Sequence, residues 1–263
     1  MKQKIAVFAC VLTVAGLGGI ARAGVVIDEQ VTTSQSGGAP VVHSRELMVQ
    51  GHKEKMVSEH NTLVIDLDKG TMMLVDPNQK IYAEIPFPPH RSPNSPGQQL
   101  DLNFQKTGKS TKVLDYGCDE YSGAGKTLMA SVSTSGCFST SAPGAAEFTE
   151  FTKAMSSKLK GEQAMAGKMP NGIPLTMDST RTINPGFTVP GMAPEQAARF
   201  KEMMAKQGPQ TTKTVVTKIA ERDLPADTFE APAGYQRRNM GGPGGGPPPG
   251  APSASSSTKK VPE

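Results

Sequence analysis

Several groups of residues in this 263-residue sequence are of types that do chemistry, and each lacks the context that the chemistry needs. Gly123-Ala-Gly-Lys-Thr127 ends like a phosphate-binding loop, but Glu120 stands where such a loop has its first glycine. A phosphate loop also hands its ligand to the amides of a following helix, and here a strand-like segment follows. The five residues read as a hairpin turn. Ser157-Lys-Leu-Lys160 and Lys106-Thr-Gly108 resemble elements of penicillin-recognising enzymes, in reversed order and with no Ser-Asp-Asn between them. The histidines are His43, His52, His60 and His90. His52 and His60 bracket a short polar strand, with no cysteine or carboxylate cluster at ligand spacing, so all four read as solvated and no metal site is expected. Asp66, Asp68, Asp76 and Glu84 fall on a face that should meet water, where no pair is placed for burial to raise a pKa.

Methionine is abundant, at 14 residues, and tryptophan is absent. Flexible thioethers fill a core poor in aromatics or line an adaptable apolar cavity. Pairs occur at Met72-Met73 and Met203-Met204, but no dense Met-x-Met run does, so copper(I) binding ranks last. The sequence therefore points to no catalytic residue, no cofactor and no metal, and to a protein that is not an enzyme.

The ends of the chain bear on where it works. Met1-Lys2-Gln3-Lys4, an apolar run from Ile5 to Ile20 and Ala21-Arg22-Ala23 follow the order of a cleavable signal peptide, residues 1–23, cut after Ala23. The run is broken by glycines and is shorter than the ~20 apolar residues of a spanning helix. Cys10 lies inside it and leaves with it. A periplasmic location follows, with contact to a membrane peripheral at most. Lys2, Lys4 and Arg22 account for most of the excess of 28 basic over 24 acidic residues, so the mature chain is nearly neutral and does not suit nucleic acid. Residues 237–263, rich in Pro, Gly and Ser, cannot bury enough apolar surface to order and are expected to be a disordered tail. Cys118 and Cys137 remain, an even number in an oxidising compartment, and are expected to form a disulfide. Their spacing fits neither a Cys-x-x-Cys redox pair nor a metal site.

Between the ends, residues 24–236 make one domain. Residues 61–85 alternate as three strands. A two-residue turn at Lys69-Gly70 would set Leu67 against Met72 and Ile65 against Leu74, and the next turn would set Leu74 against Ile81 and Met72 against Ala83. Leu63, Ile65, Leu67, Met72, Leu74, Ile81, Ala83 and Ile85 then share one face. A second hairpin is expected from 110–121 and 127–133, turning at Ser122 to Lys126, with Cys137 just past it at the entry to a helix. That helix, Ala145 to Lys160, carries Phe148, Phe151, Met155 and Leu159 on one stripe. Strands over 173–177 and Thr211 to Ile219, the latter with Val215 and Ile219 on one face, flank a second helix from Pro194 to Gly208. The fold expected is mainly β: a curved antiparallel half-open barrel covered by two short helices. Leu63, Ile65, Leu67, Met72, Leu74, Ile81, Phe148, Phe151 and Met155 would line its apolar hollow.

The stretches TLVIDLDKGTMMLVDPNQKIYAEI, KTGKSTKVLDYGCDEY, NGIPL and LPADTFEAPAGYQ resemble an exported bacterial family, domain of unknown function 4412. That family is similar, more distantly, to the outer-membrane lipoprotein carriers, which implies an unclosed barrel wrapped over helices. It brings no catalytic residue. The reading is a periplasmic carrier-like protein for a lipid or other apolar ligand, with an envelope interaction protein acting through its sheet and tail as the alternative.

Overall fold

The three strands over residues 61–86 show how the sequence builds this sheet. They are β4 (Thr62–Asp66), β5 (Thr71–Asp76) and β6 (Ile81–Pro86), each antiparallel to the next. Ile65 faces Met72, Leu63 faces Leu74, Leu74 faces Ala83 and Met72 faces Ile85, so each hairpin is displaced by two residues from the tight-turn register. Aspartate side chains account for the longer turns. Asp66 Oδ1 accepts a hydrogen bond from the Lys69 amide at 2.9 Å, and Asp76 Oδ1 accepts from the Asn78 and Gln79 amides at 2.9 and 3.0 Å. Such Asx contacts hold a four-residue turn, and Gly70 and Lys80 close the two turns at φ 63° and 53°. Side chains alternate with period two, so the displacement leaves every apolar residue on its expected face.

The computed structural model describes residues 23–89, 102–127, 129–159, 169–184, 187 and 192–238, without the side chains of 194 and 204–207. Residues 1–22 of the expected signal peptide, with Cys10, and also His90, Lys160 and residues 239–263 of the expected tail lie outside the described residues. Ahead of β4 come β1 (Gly24–Gln35), β2 (Val41–Gln50) and β3 (Lys53–Ser58). After β6 come β7 (Asn103–Val113), β8 (Tyr116–Lys126), β9 (Ala130–Ser139), α1 (Ala145–Lys158), β10 (Ile173–Ile183), α2 (Pro194–Gln207), β11 (Gln210–Arg222) and β12 (Gln236–Arg237). All twelve strands form one sheet in the order β12-β6-β5-β4-β3-β2-β1-β11-β10-β9-β8-β7. Two meanders meet where β11 pairs with β1, and β12 adds a short parallel strand beside β6. The sheet is curved and open, mainly β with two helices, as expected.

Helix α1 packs on β1, β2 and β10. Phe151 is fully buried and Phe148 nearly so, among Val25, Ile27, Val49, Ile65, Leu67, Ile173 and Leu175. Gly144 starts the helix at φ 72°, where a Cβ would meet Val25, and its amide donates to Glu221 Oε1 at 2.6 Å. A carboxylate there suits the positive end of the helix. At Thr217 a bulge against β1 shifts the alternation, so Val216 rather than Val215 enters the core beside Ile219. Gly172 sits at φ 100° with space for a Cβ only 2.3 Å from the Ser139 carbonyl oxygen. Gly172→Ala is expected to cost about 2 kcal/mol or more, read as a lower urea midpoint.

The opposite face is also partly covered. Val26, Val64 and Val75 are buried there, and the segment after β11 crosses it. Lys55 Nζ donates to the Thr228 carbonyl at 2.9 Å, Lys69 lies 3.5 Å from Glu230, and the Arg238 amide donates to the Tyr82 carbonyl at 2.7 Å. Asp66, expected in water, is buried beneath this segment, 3.7 and 3.8 Å from the ammonium groups of Lys53 and Lys69.

The second meander departs further from expectation. The chain reverses at Leu114-Asp115, both at positive φ, a geometry that matches strand twist in a two-residue hairpin loop. Ser122 to Lys126, expected as a turn, lies inside β8, and the next reversal falls at Thr127 to Met129. Thr127 Oγ1 makes that turn by accepting from the Met129 and Ala130 amides. The disulfide is present, with Cα atoms 5.4 Å apart. Cys137 lies within β9 rather than past it, so the bridge joins adjacent strands β8 and β9 rather than pinning the helix entry.

Candidate functional site

The helix side of the sheet is unevenly covered, and that asymmetry makes the site. Helix α1 packs most closely on β1, β2 and β10, and over β4, β5 and β6 the same face is less completely covered. Of the residues expected to line a hollow, Ile65, Leu67, Phe148 and Phe151 are packed as core. Leu63, Met72 and Met155 are half-buried and pack against that core. Leu74 and Ile81 are half-buried and lie beyond it. The nine residues thus divide into a closed end under the helix and an apolar shelf that keeps part of its surface open. Met56, opposite Leu63 on β3, and Ile85, opposite Met72 on β6, extend the shelf on the same face.

Charged residues interrupt this apolar face. Along β1 the helix-side positions read Val25, Ile27, Glu29, Val31; along β2, Val49, Leu47, Arg45; along β3, Glu54, Met56. Register places Arg45 directly opposite Glu29. Arg45 Nε donates to Glu29 Oε2 in a close ion pair, and its Nη1 lies 3.8 Å from Met56 Sδ. Glu29 is buried at 5 % side-chain exposure while Arg45 keeps 33 %, so the guanidinium is held from below and open above. Glu54 stands on the next strand, opposite Val49 and Ile65. Burial pushes its carboxyl up from 4.5 to about 7, with Arg45 opposing the rise and Glu29 adding to it. Glu54 nonetheless retains some accessible surface.

The sequence reading weighs Asp66, Asp68, Asp76 and Glu84 and finds no pair placed for burial to raise a pKa; it passes over Glu54, whose carboxyl burial does raise. The missed signal is in the sequence: Glu29 interrupts the run Val25, Ile27, Val31, Arg45 follows Val49 and Leu47, and Glu54 precedes Met56, each on the parity of those apolar residues. A consequence concerns stability. The folded protein holds the Glu54 proton up to about pH 7, whereas the unfolded chain releases it near 4.5. The contribution is therefore fully present below pH 4.5 and lost as pH rises through about 7. Glu54→Gln is expected to stabilise the protein at pH 8 by on the order of 2 kcal/mol, with solvent access discounted, and to have little effect at pH 4. Urea titrations at both pH values check it.

The other candidate groups stay apart. His52 is exposed, with Nδ1 2.7 Å from Asp68 Oδ1, and His60 lies at the far end of β3, some 20 Å along the strand by its rise. Met72 and Met73 point to opposite faces, as neighbours in a strand must. Asp76 holds its turn, and Glu84 pairs with Arg237 at 3.0 Å. Gly123 to Lys126 forms strand, so no helix amides stand behind the phosphate-loop-like residues. Among the described residues no three His, Cys, Asp or Glu side chains group to hold a metal ion.

The family model described as Domain of unknown function (DUF4412) matches residues 44–177, just over half of the 263. The chain belongs to this family. The DUF4412 match runs from β2 into β10 and so takes in Arg45, Glu54, the shelf, the disulfide and α1. No curated protein sequence matches the chain. Among solved structures, PNGF-II in a P21 crystal form is similar over 82% of this chain and 31% of its own, at 9% identity and a TM-score of 0.39. The chain thus spans about a third of the length of PNGF-II. The LolA superfamily protein NE2245 from Nitrosomonas europaea is similar over 80% of this chain and 91% of its own, at 9% identity and a TM-score of 0.30. A DUF1329 family protein from Desulfovibrio piger is similar over 80% of this chain and 90% of its own, at 7% identity and a TM-score of 0.32. A LolA superfamily protein thus stands among the similar structures, as the resemblance read from the sequence implied. Likenesses of this depth carry no argument about function, which rests on the geometry above.

Proposed function

We propose that this DUF4412 protein is an exported, non-catalytic, carrier-like binding protein of the periplasm that takes a lipid or other apolar ligand on the helix side of its sheet. The observation that carries the reading is the shelf. Leu63, Met72, Leu74 and Ile81 share one face, on strands other than those α1 packs on most closely, and each is only half-buried. Exposed contiguous apolar surface marks an interaction site in a stable protein. Methionines at its border, Met56, Met72 and Met155, adapt their rotamers to an apolar guest. The disulfide suits an oxidising compartment. No described helix is long and apolar enough to cross a membrane.

The test is native mass spectrometry and organic extraction of the mature protein purified from an envelope fraction, followed by titration with the neutral probe N-phenylnaphthylamine. Retained lipid or saturable probe uptake is expected. Leu74→Gln on the open part of the shelf is expected to weaken uptake about tenfold, while costing less than about 1.5 kcal/mol of stability at a half-exposed position. Protein that arrives empty and takes up no probe would remove the reading.

A further inference from the structure

An apolar shelf alone does not explain Glu29, Arg45 and Glu54. Charges on an apolar face cost stability unless they are paired, and hydrophobic replacements at such positions are often neutral or stabilising. Two carboxylates and one guanidinium also leave this group unbalanced. Glu29 takes Nε of Arg45, and Met56 Sδ stands near Nη1. Among the described residues no protein acceptor meets Nη2, and no protein group hydrogen-bonds the Glu54 carboxyl. Both open groups keep accessible surface, Arg45 with a third of its side chain exposed, and Met56, which Nη1 approaches at 3.8 Å, follows Glu54 by two residues on the same face of β3.

We propose that Arg45 and Glu54 form the head-group anchor of the apolar site, and that the ligand is an amphiphile with a carboxylate head, a long-chain fatty acid. This rests on the apolar-ligand reading above and specifies it. The free edge of the guanidinium donates to one carboxylate oxygen of the ligand. Glu54, when protonated, donates its O–H to the other, and the acyl chain runs from there over Met56 and Leu63 toward Met72 and Leu74. Charge-assisted bonds of this kind are about twice as strong as neutral ones, and a planar guanidinium matches a carboxylate. Glu29 contributes by fixing Arg45, as a positioning residue.

The arrangement makes binding depend on pH. With Glu54 ionised, the ligand would add a third carboxylate to one guanidinium. With Glu54 protonated, ligand and Glu29 share Arg45. Anion binding therefore takes up one proton at Glu54. The other titratable groups on this face are placed elsewhere. Glu147 on α1 accepts from the Gly51 amide, Glu221 on β11 accepts from the Gly144 amide, and His43 on β2 lies beyond Arg45, opposite Val31. The strand on the far side, β4, presents only Leu63 and Ile65.

Laurate is the probe, because its own carboxyl stays ionised throughout the range needed, about pH 7 to 9. Its affinity for the full mature protein, measured by calorimetry, is expected to fall about tenfold for each pH unit in that range. Glu54→Gln is expected to abolish the slope, because the amide donates at every pH. The paired variant Glu29→Gln/Arg45→Met, which leaves no lone charge, is expected to weaken laurate at least about tenfold. Circular dichroism reports whether it folds; if it does not, the slope in Glu54→Gln decides alone. An identical slope in wild type and Glu54→Gln, or laurate binding unchanged in the folded paired variant, overturns the anchor. N-phenylnaphthylamine, titrated against the wild type, separates this failure from a deeper one: laurate without the expected dependence beside normal probe uptake sinks the anchor and spares the apolar site, whereas failure to take up the probe sinks both.

Discussion

Phe151→Ala is expected to lower the unfolding free energy by about 4 kcal/mol, within the range for emptying a fully buried aromatic position. Phe151 has no exposed surface and belongs to the cluster that also holds Val25, Ile27, Val49, Ile173 and Leu175. Those neighbours belong to strands hydrogen-bonded on both sides, so they cannot collapse into the vacated space and the cavity term is retained. A domain of this size has a total stability of roughly 5–15 kcal/mol, so the loss is a large share of it. The melting temperature is expected to fall by about 10 °C, with an unchanged urea m-value. A loss below about 1 kcal/mol would show that α1 does not clamp the sheet. The contrast with Leu74→Gln matters: Phe151 belongs to the closed end of the same apolar face, and Leu74 to its open end. A protein in which both substitutions cost the same stability has no open end.

How far the sequence discloses this depends on the range of the interaction concerned. Signals local to one strand or helix survive translation into three dimensions. The alternation from Leu63 to Ile85 assigns the correct face to every apolar residue, even though both hairpins are displaced by two. The turn residues decide the displacement, and Asp66 and Asp76 act through side chains that alternation does not see. The Phe148–Phe151–Met155 stripe likewise identifies the buried face of α1. Bulges are less legible: nothing in the residues around Thr217 announces that β11 gains one residue against β1, and so Val216 takes the place expected of Val215. In the second meander, glycines mislead. Gly123 reads as a turn, but its missing side chain makes room for Phe104, since a Cβ there would stand 3.2 Å from the Phe104 ring. Leu114-Asp115 reads as strand, yet adopts the positive φ values of a hairpin loop.

The charged anchor is the least legible feature, because it exists only through pairing between strands. Glu29 meets Arg45 only when β1 and β2 take one register, and Glu54 joins them only through β3. Each residue alone resembles ordinary surface polarity. What distinguishes them is parity, and parity becomes readable only when the apolar face of each strand is known. Asp66 shows the converse. It sits on the expected face, but the segment around Thr228 to Glu230 comes from over 150 residues away to cover it.

Removing the disulfide, through Cys118→Ala/Cys137→Ala, is expected to destabilise the protein by about 3 kcal/mol. The cysteines are separated by 19 residues in sequence, and closing a loop of that length removes this much chain entropy from the unfolded state. Both side chains are buried in the core, so paired alanines also leave some unfilled volume, and the loss is not expected to be smaller than the entropic figure. The bridge joins neighbouring strands that already pair along β8 and β9, and it lies far across the sheet from β4 to β6 in strand order. Its loss should therefore lower the urea midpoint without changing laurate or N-phenylnaphthylamine binding measured well below that midpoint. If binding falls in step with removal of the bridge, the disulfide acts on the site rather than on the unfolded chain, and the division of this sheet into a stabilised meander and a binding meander fails.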